Sequence, residues 1–484
     1  MKKTAPRKAL SDSPPTFAPA PTQPADWVRD EFAQADLPDE RHLWRLQMIT
    51  TAFAHKPTAP IPEACSGWAE AKGAYRFLAN DRIPASSIRQ AHEQATLQRV
   101  QPHPVVLAVQ DTTTLNYSTH PKTKGLGLLG SHSPKHIGLL LHSTLAITPG
   151  GQPLGFLHNA VRARRGARVH RHQRKLADKE SYKWVESLAA CQKLALSCPA
   201  TRLVNLADRE GDLYDLFAQA LSVPDASKVH LLVRARHDRP LADAPGTVWE
   251  AVGRQPVAAT LAVLVGRRGE QPGRLARLNL RFCRVQLQAP RSKTNLPAIT
   301  LWAIEAEEST PMPKEGARIL WRLLTTLPVN LAEEAAEKVR WYAQRWQIEV
   351  LHKVLKSGCQ IEQRQLETAQ RLERVLAVDL VVAWRILALC KAARELPDDP
   401  ISHWLPQAQW QALCCYVHRQ NVPSPNVPTV KEAVRWIAQL GGFLARKNDG
   451  PPGTKTLWRG LQQLNAMTEM WQLFQPQERS PKCG

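Results

Sequence analysis

Hydrophobic and polar positions change period several times along the chain. From about Asp26 to Gln101 the period is helical, with few strand signals. Within it, LPDERHLWRL (37–46) can open a helix with Asp39 near its start, and it sets Arg41 and Arg45 one turn apart on one side. Next, short apolar runs alternate with helical stretches. VVLAVQ (105–110), after Pro104, predicts a buried strand ending at Asp111. LLLHSTLAI (139–147) and PLGFLHNAV (153–161), separated by PGGQ, predict a hairpin. Residues 178–197 read as helix. RLVNLA (202–207) predicts a second buried strand ending at Asp208; DREGDLYDLFAQAL then opens a helix, and KVHLLVRAR (228–236) is a further strand. Between 244 and 309, VAATLAVLV, RLARLNLRFCRVQLQ and PAITLWAI are strand-like and separated by Gly, Pro and Arg clusters. They predict a β-rich insertion, with ARILWRLLTT (317–326) as its last strand, returning to the core. From 330 the period is helical again: 330–358, 366–394, about 402–415, 428–440 and 456–473.

One of these helices carries unusual chemistry. WYAQRWQIEVLHKVLKSG (341–358) has no Pro and only a final Gly. As one helix it places Tyr342, Arg345, Glu349, Lys353 and Lys356 on a single face, while Trp346, Val350, Val354 and Leu355 turn elsewhere and can pack inward. One carboxylate among cations suits metal-dependent phosphoryl transfer on DNA, the acid holding Mg²⁺ and the bases holding phosphate. On spacing alone, a solvated face with Glu–Lys pairs is the commoner reading. Asp111 and Asp208 end predicted strands, where ligand sites of open α/β sheets form. With Glu349 they could hold two metal ions about 4 Å apart. Carboxylates favour hard Mg²⁺, or Mn²⁺ in its place. Each acid also has an ordinary reading: Asp111 as a turn residue or helix cap, and Asp208 as part of a surface cluster with Arg209, Glu210 and Asp212. Their β…β…α order is what surface acids have no reason to adopt.

Composition narrows the partner. A chain of 484 residues exceeds one compact core. Its net charge of +21 points to a polyanion, nucleic acid before a membrane surface. The nine cysteines form no CxxC pair, which argues against zinc and against a disulfide framework, and fits a reducing cytoplasm. MKKTAPRKAL has no apolar core of a secretory signal. The most apolar helix, 366–394, is interrupted by Arg374, Asp379 and Arg385, against a membrane span. Residues 1–25, rich in Pro, Ala, Ser and Thr, are expected to be disordered. A basic run follows the hairpin: Arg162, Arg164, Arg165, Arg168, Arg171, Arg174 and Lys175.

Several blocks, in order, carry a family resemblance: GAYRF (73–77), QDTTTLNY (110–117), KESYKW (179–184), ADREGDLYD (207–215), VRARHDR (233–239), WYAQRWQIEVLHKVLK and LGGFLARK (440–447). The chain resembles the DDE transposases of bacterial insertion sequences, in the IS-four group with the Y-R-E-K signature that includes the Tn-five transposase. The resemblance covers nearly everything after residue 25. It implies an α/β fold with a ribonuclease H-like core interrupted by the β-rich insertion. The implied division is 26–101 for a helical DNA-end-binding domain, 102–243 and 327–395 for the core, 244–326 for the insertion and 396–484 for a helical dimerisation region. Asp111, Asp208 and Glu349 would be the metal triad, with two Mg²⁺ ions or Mn²⁺. Tyr342, Arg345 and Lys356 would hold transposon-end phosphates. Trp321 would receive a flipped base, unless it is a core Trp of its strand. Arg209 and Arg234, in two of the blocks, and Lys353, on the signature face, are further candidate DNA contacts. Arg41 and Arg45 match basic positions of the end-recognition region. The implied activity is cut-and-paste transposition by nicking, hairpin formation and opening, then strand transfer, in a synaptic homodimer on inverted-repeat ends and target DNA, at the bacterial nucleoid. Val350 and Leu351 depart from the acidic and aromatic residues often found after the glutamate. Two other readings stand beside it: a DNA-binding inhibitor without catalysis, and a metal-dependent nuclease without strand transfer.

Overall fold

A computed structural model describes residues 23–65, 67–129, 136–164, 180–265, 274–291, 296–309, 318–447 and 449–474. The tail 1–22 and the basic run from Arg165 to Lys175 lie outside the described residues. The chain opens with five helices: α1 (Asp26–Glu31), α2 (Glu40–His55), α3 (Ile61–Ala64), α4 (Trp68–Leu78) and α5 (Ala85–Val100). Asp39 starts α2 by accepting the N–H of Arg41 at 2.8 Å, which satisfies one orphan donor of the first turn.

The strands and helices that follow are β1 (Val105–Asn116), β2 (Gly127–Leu128), β3 (Ile137–Ile147), β4 (Pro153–Arg162), α6 (Tyr182–Ala195), β5 (Arg202–Ala207), α7 (Tyr214–Leu221), β6 (His230–Arg234), α8 (Val248–Gly253), β7 (Ala259–Val265), β8 (Arg274–Leu287), β9 (Ile299–Glu308) and β10 (Leu320–Thr325). They build one ten-stranded sheet in the order β2-β3-β1-β5-β6-β10-β9-β8-β7, with β4 paired to β3. Among the described strands only β1–β5 and β5–β6 pair in parallel; β3 and β4 form the expected hairpin.

Two sequence expectations change here, and the placement of the insertion becomes explicit. The first strand does not end at Asp111. On its β5 side the ladder stops at Val109, but the antiparallel partner β3 carries it to Asn116. The strands of the β-rich insertion join the central sheet: β10 pairs with β6 on one side and β9 on the other, so β7–β9 extend it. The helix 330–358 is three pieces: α9 (Ala332–Ala343), α10 (Trp346–Lys353) and a π-helical turn at Val354–Gly358. Between α9 and α10 the chain tightens: the N–H of Arg345 donates to the carbonyl of Tyr342, three residues back. Gln344 reaches across to the carbonyl of Gly150 in the β3–β4 turn, a tie no local pattern announces.

Apolar side chains fill both faces of the sheet. Val109, Leu206 and Leu323 join one core with α2, α9 and α11 (Ala369–Glu395); Ala108, Ala207 and Leu324 join another with α6, α7 and α8. Period-2 alternation distributes successive residues between the two. A third core lies under α12 (Gln407–His418), α13 (Val430–Leu440) and α14 (Thr454–Phe474). The charges that interrupt α11 are matched. Asp379 accepts two bonds from Arg364 at 3.0 and 2.9 Å, Arg374 donates to the carbonyls of Ile83 and Leu78, and Arg385 lies over Trp27 and Trp404. Among the described residues no helix is long and apolar enough to cross a membrane.

Candidate active site

The parallel register of β1 and β5 brings two acids side by side. Val109 stands opposite Leu206, so two residues further on come Asp111 and Asp208. Alternation sends both toward the face of Val109 and Leu206, at the carboxyl edge of the sheet. Asp111 accepts the N–H of Thr112 at 2.7 Å. Burial pushes its pKa up to about 6; the Thr112 N–H and Arg345 oppose the rise, and the charges of Asp208 and Glu349 add to it. Asp208 accepts the N–H of Glu210 at 2.8 Å and so starts a short 3-10 turn at Arg209–Gly211.

The strand around Asp111 is held from behind. His142 of β3 joins Thr112 at 2.9 Å through Nδ1 and Gln110 at 3.1 Å through Nε2. Its ring meets Trp184 edge-on. Burial holds this imidazole well below its ordinary pKa, hence neutral, with a tautomer able to serve both partners. No local pattern announces it, because His142 lies within the mostly apolar run LLLHSTLAI.

Glu349 comes from α10, which packs on β1. Arg345 ties the helix to the strand: one terminal nitrogen pairs with Glu349 and the other lies 3.6 Å from the Asp111 carboxylate. Tyr342 sits beside Arg345 and Arg234, and burial raises its pKa. Trp321 meets Tyr342 edge-on at 5.4 Å and packs half-buried against the core, so it serves its strand as well as lining the site. Lys356 stands 3.8 Å from Glu362. Lys353 is exposed, as is Arg209, and Arg234 donates to the carbonyl of Leu320 at 3.2 Å. Arg41 and Arg45 are not brought here. They lie on α2, Arg41 paired with Asp39 and Arg45 over the ring of Trp44. Trp346, expected to pack inward, is 49% exposed one residue from Arg345, because the tight turn before α10 rotates it outward.

Three carboxylates with no thiol or imidazole beside them are a donor set for a hard divalent cation. As the side chains stand, no three His, Cys, Asp or Glu among the described residues are grouped closely enough to ligate one ion. The Arg345 guanidinium lies between Asp111 and Glu349 and supplies the local positive charge.

Residues 24–83 match the family model for a transposase DNA-binding region, residues 157–382 that for a transposase DDE domain, and residues 381–475 that for the Tn5 transposase dimerisation domain. The three follow one another along the chain, as the helical start, the sheet and the helical end do. Asp208 and Glu349 fall within the DDE match, and Asp111 precedes it. An α/β, ribonuclease H-like DDE domain set between DNA-binding and dimerisation regions defines the chain: it belongs to the Tn5-like DDE transposases of insertion sequences, homodimeric DNA-binding enzymes that cleave and transfer DNA strands.

Proposed function

We propose that this transposase moves its element by cut-and-paste chemistry, and that Asp111, Asp208 and Glu349 are its metal-binding acids. The observation that carries this reading is the register: Asp111 and Asp208 leave adjacent parallel strands at one level, with Glu349 tied to Asp111 through Arg345. Two Mg²⁺ ions, or Mn²⁺, held by these acids would activate the attacking water or 3′-hydroxyl and stabilise the leaving oxygen. The chain's own residues supply the rest. In this reading Arg345, Tyr342 and Lys356 hold the phosphates flanking the scissile bond, and Lys353, Arg209 and Arg234 add further cationic contacts. Holding the strand in line is a large part of phosphoryl-transfer catalysis. Trp321 offers an aromatic face for the base that must leave the stack before a hairpin forms. Arg41 and Arg45 on α2 engage the transposon end at a distance from the acids. Met470, Leu473 and Phe474, exposed at the end of α14, offer apolar surface to a second copy in the synaptic complex.

The test is cleavage of a labelled linear DNA bearing the element's inverted repeat, with Mg²⁺ or with EDTA, on a denaturing gel. A Mg²⁺-dependent, covalently closed hairpin is the expected product. Nicking without a hairpin would remove the hairpin route, and binding without cleavage would leave a DNA-binding inhibitor. Asp111→Asn, Asp208→Asn and Glu349→Gln should each abolish cleavage while DNA binding persists, since each removes one ligand charge and little volume. Full cleavage by any of the three takes that residue out of the triad.

A further inference from the structure

A second recess lies on the far side of β10 from Trp321. Along that strand alternate residues face opposite ways: Trp321 and Leu323 pack with the core beneath the acids, and Leu324 packs with the other core. On this second face Leu320 and Arg322 line an open cavity of about 450 Å³. Arg209, Arg234, Arg236 and Trp249 line it as well, and Arg209 directly follows Asp208 in the chain. Four arginines therefore line one concavity. The acids along it are already engaged. Glu210 pairs with Lys183 at 3.2 Å, and Asp238 accepts the Thr247 hydroxyl at 2.9 Å and the Trp249 N–H at 3.2 Å. Arg322 is anchored by Glu305 at 2.9 Å, and its guanidinium carbon lies 5.3 Å from the centre of the Trp249 ring. Among the described residues Arg209 and Arg236 make no ion pair. Burial lowers the pKa of Arg234; Tyr342 opposes this, and the charges of Arg209 and Arg345 add to it.

The ligand chemistry follows from these groups. Uncompensated guanidiniums take phosphate. A planar guanidinium backed by an indole takes the face of a base. A duplex hides its base faces in the stack, so the match is an unpaired strand. The volume lies within the ordinary range of small-ligand pockets, roughly 300–1,000 Å³. We propose that this recess binds one nucleotide of an unpaired DNA strand running past Asp208, with its phosphate on Arg209 and Arg236 and its base on Arg322 above Trp249. The proposal rests on the DNA-strand chemistry assigned to the acids and adds a second nucleotide subsite, separate from Trp321.

Full-length protein in EDTA, so that no cleavage intervenes, is titrated by fluorescence anisotropy into two probes. One is a blunt duplex bearing the inverted repeat. The other adds a short unpaired extension, on either strand in turn, carrying 2-aminopurine. The wild type should bind an extended probe at least about 5-fold more tightly, the low end of what one stacked base contributes, and should change the 2-aminopurine emission. Arg236→Ala should lose this preference and lower the salt slope by about one unit. Arg322→Lys keeps the charge opposite Glu305 but not the plane, and should lose the emission change. Both variants should bind the blunt duplex as the wild type does, which shows that they are folded. Equal binding of both probes by the wild type, or variants that keep the preference, would overturn the subsite and leave the DNA reading intact. No binding of either probe would overturn that reading and the subsite with it.

Discussion

Asp111 decides how the site responds to pH. Its ordinary pKa of 3.8 rises to about 6 in the folded chain, chiefly through burial. Between those values the folded chain keeps a proton that the unfolded chain has released. Stability is thus fully present below the unfolded pKa and falls as pH rises through the folded one. A shift of this size corresponds to about 3 kcal/mol at most, and less because the carboxylate still meets some solvent. Asp111→Asn should therefore raise the melting temperature of the metal-free protein at pH 7.5 but hardly at pH 4. Thermal melts in EDTA at the two pH values check this; an equal change at both would show that burial is not the cause. Arg345 is the complementary case. Its charge serves two acids in the free protein, and in the proposed reaction it serves phosphate. Arg345→Ala should weaken DNA binding and lower its salt slope by about one unit, read from affinities at several salt concentrations.

At the scale of elements, strand alternation and helix contacts carry the argument. The acids share a level because β1 and β5 are parallel and in register, and Trp321 and Arg322 serve different faces because they are neighbours on one strand. The C-terminal helices show how little room such contacts leave. A Cβ at Gly460 would lie 1.7 Å from the carbonyl oxygen of Ile437, and one at Gly441 would lie 1.9 Å from that of Thr456, so α13 and α14 cross backbone to backbone. Gly460→Ala should push them apart and cost about 1–3 kcal/mol or more. Urea unfolding would show it, and an unchanged midpoint would mean that the crossing yields easily. The periodicity of α13 and α14 marks them as helices; that Gly460 and the Gly441 after α13 meet the opposite backbone it does not show, since these approaches join residues 23 and 15 positions apart.

At the scale of the molecule, α11 is the hub. Arg374 satisfies carbonyls at Leu78 and Ile83 in the N-terminal helices, and Arg364 holds both the buried Asp379 and the carbonyl of Ala59. Charges that argued against a membrane span are thus what fasten the DNA-binding helices to the sheet. Asp379→Asn leaves a buried guanidinium without its counter-charge. It should cost about 3–5 kcal/mol, seen as a lower denaturation midpoint, because a stranded charge loses more than the pair gains. A cost below 1 kcal/mol would mean that water reaches Arg364. The dimer surface belongs to this scale too, and sequence periodicity marks α14 as helical without saying which end stays uncovered.

Local pattern by itself determined the order of helices and strands, the acids beside short apolar runs, the cationic helix face and the family those blocks resemble. All of these depend on residues within a few positions of one another, where period and composition act directly. Only tertiary structure decided that β1 runs past Asp111, that β7–β9 extend the central sheet, that the helix tightens before Arg345, that Trp346 faces outward and that Arg345 bridges Asp111 and Glu349. Each depends on a partner from another element: a strand that continues a ladder, a turn that captures Gln344, or a carboxylate from a strand more than two hundred residues away. Pairing across such distances is set by the packing of the whole chain, and no local period encodes it.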